Sequence, residues 1–150
     1  MFNSTPPQIV FQEVPGEVSL SFCISGCDLG CKNCHSPELW DANYGQPLTK
    51  QKYIGYLAQY RQMATCVLFM GGEWQPAILL QYLKLAVDYG FKTCLYTGQD
   101  DVCWQLKQQL SYLKVGAYNF KLGGLASKST NQRFIKLPEN QLLNYRFIKE

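Results

Sequence analysis

From residue 17 to residue 118, apolar runs of strand length alternate with helical patterns, and this rhythm leaves the chain few folds to choose from. Residues 17–24 alternate strictly, with Val18, Leu20, Phe22 and Ile24 on one face and Ser19, Ser21 and Cys23 on the other, which predicts a strand. Thr49 can cap a helix over residues 49–62 whose inner face carries Tyr53, Ile54, Leu57 and Tyr60. Residues 66–70 are a short apolar strand that stops at Gly71-Gly72. Pro76 suits the first position of a helix with Leu79, Leu80, Leu83, Ala86 and Val87 at helical spacing, and Gly90 ends it. Residues 91–97 read as the next strand. Asp100 or Asp101 then caps a helix carrying Val102, Leu106 and Leu110, and residues 113–118 make a further strand. Beyond Gly123-Gly124 the pattern weakens: residues 125–132 read as a polar surface loop, and residues 133–137 and 145–149 as short strands. The expected fold is α/β, with a mostly parallel sheet of about five to six strands. Ligands in such sheets gather at the carboxyl ends of the strands.

Length sharpens this expectation. A closed eight-stranded α/β barrel takes about 250 residues, and this chain has 150. A single domain over residues 1–150 is therefore expected to form a partial (β/α) barrel, open along one side, and an open side calls for a cover or a partner. Hydrophobic residues make up 47% of the chain, enough for a packed core. The net charge of +3 is too mild to argue for nucleic acid. Seven of the 14 basic residues follow Leu113, where Glu139 is the only acid before Glu150, so the C-terminal part offers either a solvated face or a docking surface for an acidic partner. No apolar run approaches the 18 residues of a membrane helix, and residues 1–7 lack a basic, apolar signal pattern; no membrane association and a cytoplasmic location are expected.

Cysteine usage carries the chemistry. Cys27, Cys31 and Cys34 lie in the run Gly26-Cys27-Asp28-Leu29-Gly30-Cys31-Lys32-Asn33-Cys34-His35, directly after the first predicted strand. Their i, i+4, i+7 spacing is also that of a helical stripe of buried thiols, but Gly26, Asp28, Gly30 and Asn33 make a poor helix. A metal loop is the stronger reading. A four-iron cluster held by these three thiolates would leave one iron without a protein ligand, open to a small molecule. Zinc held by Cys27, Cys31, Cys34 and His35 is a second possibility, although adjacent residues Cys34 and His35 fit one tetrahedron poorly. A third is an electron-transfer cluster completed by Cys23, whose place inside the predicted strand favours packing instead. Cys66, Cys94 and Cys103 read as buried, inert thiols.

The C-x3-C-x2-C motif after one strand, with Gly71-Gly72-Glu73 after another, resembles the radical S-adenosylmethionine superfamily. The segment Cys34-His35-Ser36-Pro37-Glu38-Leu39-Trp40-Asp41 is similar to the one that follows the cluster in glycyl-radical-enzyme activases. Tyr112-Leu113-Lys114-Val115-Gly116-Ala117-Tyr118, Leu122-Gly123-Gly124-Leu125 and Ser129-Thr130-Asn131-Gln132-Arg133-Phe134 resemble the C-terminal half of anaerobic ribonucleoside-triphosphate reductase activating proteins. Two departures stand out: Trp74 follows Glu73 where that family usually has proline, and Asn33 precedes the third cysteine where an aromatic residue is frequent.

The resemblance implies a 4Fe-4S cluster on Cys27, Cys31 and Cys34, whose fourth iron is chelated by the amino and carboxylate groups of S-adenosylmethionine. Reductive cleavage would then yield methionine and a 5′-deoxyadenosyl radical that takes hydrogen from a glycine of the partner enzyme. It further implies Asn33, Cys34 and His35 beside the adenine, Gly71 and Gly72 as the close backbone approach to the ligand's amino group, and Glu73 as a charge-assisted partner of the ammonium. No catalytic acid, base or nucleophile is required. The implied partners are the large subunit of anaerobic ribonucleoside-triphosphate reductase and a low-potential electron donor such as flavodoxin or ferredoxin. The rival readings are a small-molecule radical enzyme of the deazapurine synthase type and a non-catalytic zinc or iron–sulfur module.

Overall fold

A computed structural model of the chain describes residues 2–26, 38, 41 and 43–148. These form the strands β1 (Phe2–Ser4), β2 (Gln8–Val10), β3 (Ser19–Cys23), β4 (Gln46–Leu48), β5 (Cys66–Met70), β6 (Lys92–Tyr96), β7 (Tyr112–Val115), β8 (Arg133–Lys136) and β9 (Gln141–Leu142). The helices are α1 (Lys50–Tyr60), α2 (Pro76–Asp88) and α3 (Trp104–Lys107), with a 3-10 turn at Asn144–Phe147.

Seven of these strands make one open sheet in the order β2-β3-β5-β6-β7-β8-β9, and β1 pairs with β4 in a separate ribbon. The four central strands, β3, β5, β6 and β7, are parallel, and β2, β8 and β9 add antiparallel edges. The sheet is thus wider than the five to six strands expected. Its edges run antiparallel: β2 joins β3 through eight residues, too few for a crossover, and the loop from β7 to β8 carries no crossover helix.

Helices lie on one face of the sheet. Leu20, Phe22, Val67, Phe69, Leu95, Leu113 and Val115 point into a core shared with Tyr53, Leu57, Leu79, Tyr82, Leu83 and Ala86 from α1 and α2. The α1 start is as expected, with Thr49 Oγ1 accepting from Lys52 N–H at 3.1 Å, and Pro76 occupies the first turn of α2. The buried stripe of α2 is Leu79, Tyr82, Leu83 and Ala86; Val87 falls outside it and is 44% exposed. Aromatic rings dominate this core. Tyr53 stacks on Tyr82 with centroids 4.5 Å apart and donates its hydroxyl to Tyr82 C=O at 2.7 Å, while Tyr82 donates to Leu48 C=O at 2.5 Å. The opposite face buries Cys66, Leu68, Cys94, Tyr112 and Phe134 beneath Val14, Leu143 and Phe147, so the sheet is covered on both sides.

The third helix departs from expectation. It is four residues long and starts after Cys103, which occupies the cap position with no side-chain cap bond. Asp101 does not cap it: its Oδ1 accepts from Val102 N–H at 2.9 Å and pairs with Lys107 Nζ at 2.7 Å. Cys103 is consequently exposed, not buried. Leu106 and Leu110 still reach the core, the latter through a turn closed by Leu110 N–H to Lys107 C=O at 3.1 Å. The short helix leaves a cavity of about 360 Å³ over the edge of the sheet, floored by Leu113, Val115, Ile135 and Leu142. Of the two C-terminal strands expected, residues 133–136 form β8, but 144–147 wind into the 3-10 turn.

Glu17 ties the amino ends of the strands together. Its Oε2 accepts from Lys92 Nζ and from Tyr112 Oη, each at 3.0 Å. Burial would raise its pKa, but hydrogen bonds from Lys92, Thr65 and Tyr112 outweigh that and hold the carboxyl below its ordinary value of 4.5. A depressed folded-state pKa contributes stability above the unfolded value, lost as pH falls through the folded one. The urea midpoint is therefore expected to fall on acidification below about pH 4.5, and Glu17→Gln should flatten that part of the profile while lowering the midpoint at pH 7.

No helix among the described residues is long and apolar enough to cross a membrane.

Candidate functional site

The parallel strands end level with one another, because the register aligns Cys23, Met70, Tyr96 and Lys114 across the sheet. Hydrogen bonds continue one step past the strand ends: Ile24 N–H to Met70 C=O at 2.9 Å, Gly71 N–H to Tyr96 C=O at 3.0 Å and Thr97 N–H to Lys114 C=O at 2.9 Å. Two of the candidate motifs leave the sheet from this edge. The cysteine segment follows β3 through Ser25 and Gly26, and Gly71-Gly72-Glu73 follows the adjacent strand β5.

Cys27, Cys31, Asn33, Cys34 and His35 lie outside the described residues, as does Trp40. The chain on either side of them is firmly anchored. Buried Ser25 donates its hydroxyl to Tyr44 C=O at 2.5 Å and its amide to Asn3 C=O at 2.9 Å. Nineteen residues apart, Ser25 and Tyr44 thus pin the base of the cysteine segment. No feature of the sequence marks Ser25 for this role, since its partner is a main-chain carbonyl.

The glycine turn has a physical reason that the motif alone does not reveal. Gly71 and Gly72 adopt φ of +90° and +104°, a region that side chains disfavour. The space a Cβ would occupy is already filled: at Gly71 it would lie 2.7 Å from Trp74 Cη2 and 3.3 Å from Ile24 C=O, and at Gly72 3.2 Å from Phe2 Cζ. The Trp74 indole therefore folds back over the turn. Gly71→Ala is expected to displace that ring and to add backbone strain of roughly 1–3 kcal/mol, visible as a lower urea midpoint and altered Trp74 fluorescence. Gly72 C=O closes the turn before α2 by accepting from Gln75 N–H at 3.0 Å, and Gly71 N–H is held by Tyr96 C=O. Among the described residues Gly71 C=O accepts no backbone hydrogen bond. Glu73 follows directly and is only 8% exposed, which puts a carboxylate in a low-dielectric position at the strand edge.

The other thiols lie in or beside the sheet. Cys23 is half-buried at the end of β3, with its Sγ 3.7 Å from Met70 Sδ. Burial raises its pKa, pushes Cys66 up to about 12 and holds Cys94 well above the thiol range. Tyr96 turns its hydroxyl to Glu13 C=O and packs edge-on against Phe134.

A 4Fe-4S single cluster domain matches residues 14–115, a span that begins before β3 and ends with β7. The chain belongs to that 4Fe-4S family. It is also 33% identical over 90 residues to the pyruvate formate-lyase-activating enzyme of Clostridium pasteurianum. That match covers 56% of this chain and 37% of that enzyme, so the chain spans little more than a third of the relative's length. No solved structure matches it. Membership of the 4Fe-4S family decides between the metals left open by the cysteine spacing, in favour of iron and sulfide over zinc. It also agrees with the donor set, since three cysteines within eight residues supply the soft thiolates that such clusters take.

Proposed function

We propose that this chain is a glycyl-radical-enzyme activating protein of the radical S-adenosylmethionine type, acting on anaerobic ribonucleoside-triphosphate reductase. The observation that carries the reading is the juxtaposition at one sheet edge: a C-x3-C-x2-C segment leaving β3, and a positive-φ glycine pair with a buried glutamate leaving the neighbouring β5. In this reading Cys27, Cys31 and Cys34 hold a 4Fe-4S cluster. Asn33, Cys34 and His35 lie against the adenine, and Gly71 C=O and Glu73 receive the ammonium of S-adenosylmethionine. When bound, cluster and S-adenosylmethionine supply a 5′-deoxyadenosyl radical able to take hydrogen from a glycine α-carbon.

The chain's own residues bind and orient. Glu73, kept from water, strengthens its attraction for a cation, because charges interact more strongly where the dielectric is low. Trp74 packs against Gly71 and Phe2 against Gly72, so the space beside the glycine turn is filled. The likeness to an enzyme that activates pyruvate formate-lyase supports activation of a glycyl-radical protein in general. The choice of the reductase rests on the resemblance of residues 112–134, most of which lie beyond the matched span. A low-potential donor such as flavodoxin or ferredoxin and a reducing cytoplasm complete the proposal.

The test is anaerobic incubation of the reduced, reconstituted protein with S-adenosylmethionine and either the reductase large subunit or pyruvate formate-lyase, followed by electron paramagnetic resonance. A glycyl radical on the reductase supports the reading. A radical on pyruvate formate-lyase alone moves the target, and deoxyadenosine release without radical on either protein overturns the activase assignment.

A further inference from the structure

The connection from β7 to β8, residues 116–132, is long and contains no helix or strand. Such loops in compact domains are uncommon and are usually functional. This one is heavily braced from within. Ser127 and Ser129 hydroxyls both donate to Leu122 C=O, at 2.8 and 2.9 Å, and Thr130 donates to Gly123 C=O at 2.9 Å. Its two ends are tied together by Asn131 Nδ2 to Ala117 C=O at 3.0 Å and by Gln132 Nε2 to Gly116 C=O at 3.2 Å. Leu125 anchors it on the core beneath.

That bracing presents a basic outward surface. Phe120 is 41% exposed, and Lys121 and Lys128 are exposed on the same loop. Neither lysine forms an ion pair among the described residues, and residues 116–138 include no acid at all. The loop springs from the same carboxyl edge as the glycine turn. Two inter-strand spacings separate β5 from β7, or about 10 Å. A braced, cationic loop rooted at that distance and carrying a part-exposed aromatic ring has the makings of a pre-ordered recognition element, because its ordering entropy is already spent before any partner arrives.

We infer that residues 116–132 dock the partner glycyl-radical enzyme, recognising an acidic surface with an apolar recess for Phe120. The inference rests on the activase reading and adds to it the element that selects the partner. Two exposed lysines are too few to hold a nucleic acid firmly, and their effect on a protein partner should be to steer encounter and fix orientation.

The experiment uses the full chain with its cluster. Lys121→Glu/Lys128→Glu and, separately, Phe120→Ala are compared with wild type in two anaerobic measurements: binding of the reductase large subunit, and reductive cleavage of S-adenosylmethionine without partner. The charge reversal is expected to weaken binding about tenfold and to reduce its salt dependence, Phe120→Ala to weaken it about as much, and neither to alter partner-free cleavage. Unchanged binding in both variants overturns the inference, as does wild-type protein that binds an RNA oligonucleotide in preference to the reductase. Wild type that binds the reductase through these residues but cannot cleave S-adenosylmethionine supports the docking role and overturns the activase reading instead.

Discussion

Alanine at Cys27, Cys31 or Cys34 is expected to cut the iron content of anaerobically reconstituted protein from roughly four per chain to below one. The visible iron–sulfur absorption and any cleavage of S-adenosylmethionine should disappear with it. A three-thiolate site has no redundancy, since losing one donor leaves two irons without protein ligands. Alanine at Cys23 should behave differently. Its thiol lies at the end of β3 against Met70, so that variant should keep its iron and lose only a little stability. Cys103→Ala, at an exposed position, should be silent in both respects. The contrast matters because a fourth protein ligand would close the position that a substrate needs. Loss of iron from the Cys23 variant would make the protein an electron carrier and end the radical reading.

How far the chain could be read without coordinates varies with the range of the interactions involved. Residues 66–70 were legible to the residue as β5, because an apolar run bounded by Gly71-Gly72 has no competing pattern. Thr49 and Pro76 announced their helix starts for equally local reasons, a hydroxyl reaching one turn ahead and a ring that needs no amide bond. The α3 region failed because Asp101 has a better partner in Lys107 than in a helix amide, and that choice is made by side chains rather than by propensity. Tyr82 was missed, although it is as buried as the leucines around it. A hydroxyl counts against burial in any hydrophobic pattern until its acceptor, Leu48 C=O, is brought up from 34 residues away. At the candidate site the motif residues were legible, but the reason for two glycines was not: Phe2 and Trp74 fill the space beside them, and only the folded chain brings Phe2 there.

The largest loss of stability is expected from Phe22→Ala. Phe22 is fully buried on β3 and contacts three aromatic neighbours, with ring centroids at 5.5 Å to Tyr53, 5.6 Å to Phe69 and 6.0 Å to Tyr56. Emptying such a site costs about 3–5 kcal/mol, against a total stability of roughly 5–15 kcal/mol for a domain, so the melting temperature should fall by about 10 °C or more. Phe11→Ala, at a ring that is 67% exposed, should change stability by no more than about 0.5 kcal/mol. The effect should reach the candidate site, because Phe22 lies two residues before Ile24, whose carbonyl backs Gly71, and Phe69 lies two residues before Gly71 itself. Hydrogen exchange reads this directly. The Gly71 amide, bonded to Tyr96 C=O, should lose protection in Phe22→Ala in step with global stability if the aromatic layer and the glycine turn are one cooperative unit. Protection that persists while the core loosens would mean that the turn is held by Trp74 and Phe2 alone, and the aromatic layer would then be a support for the helices rather than for the site.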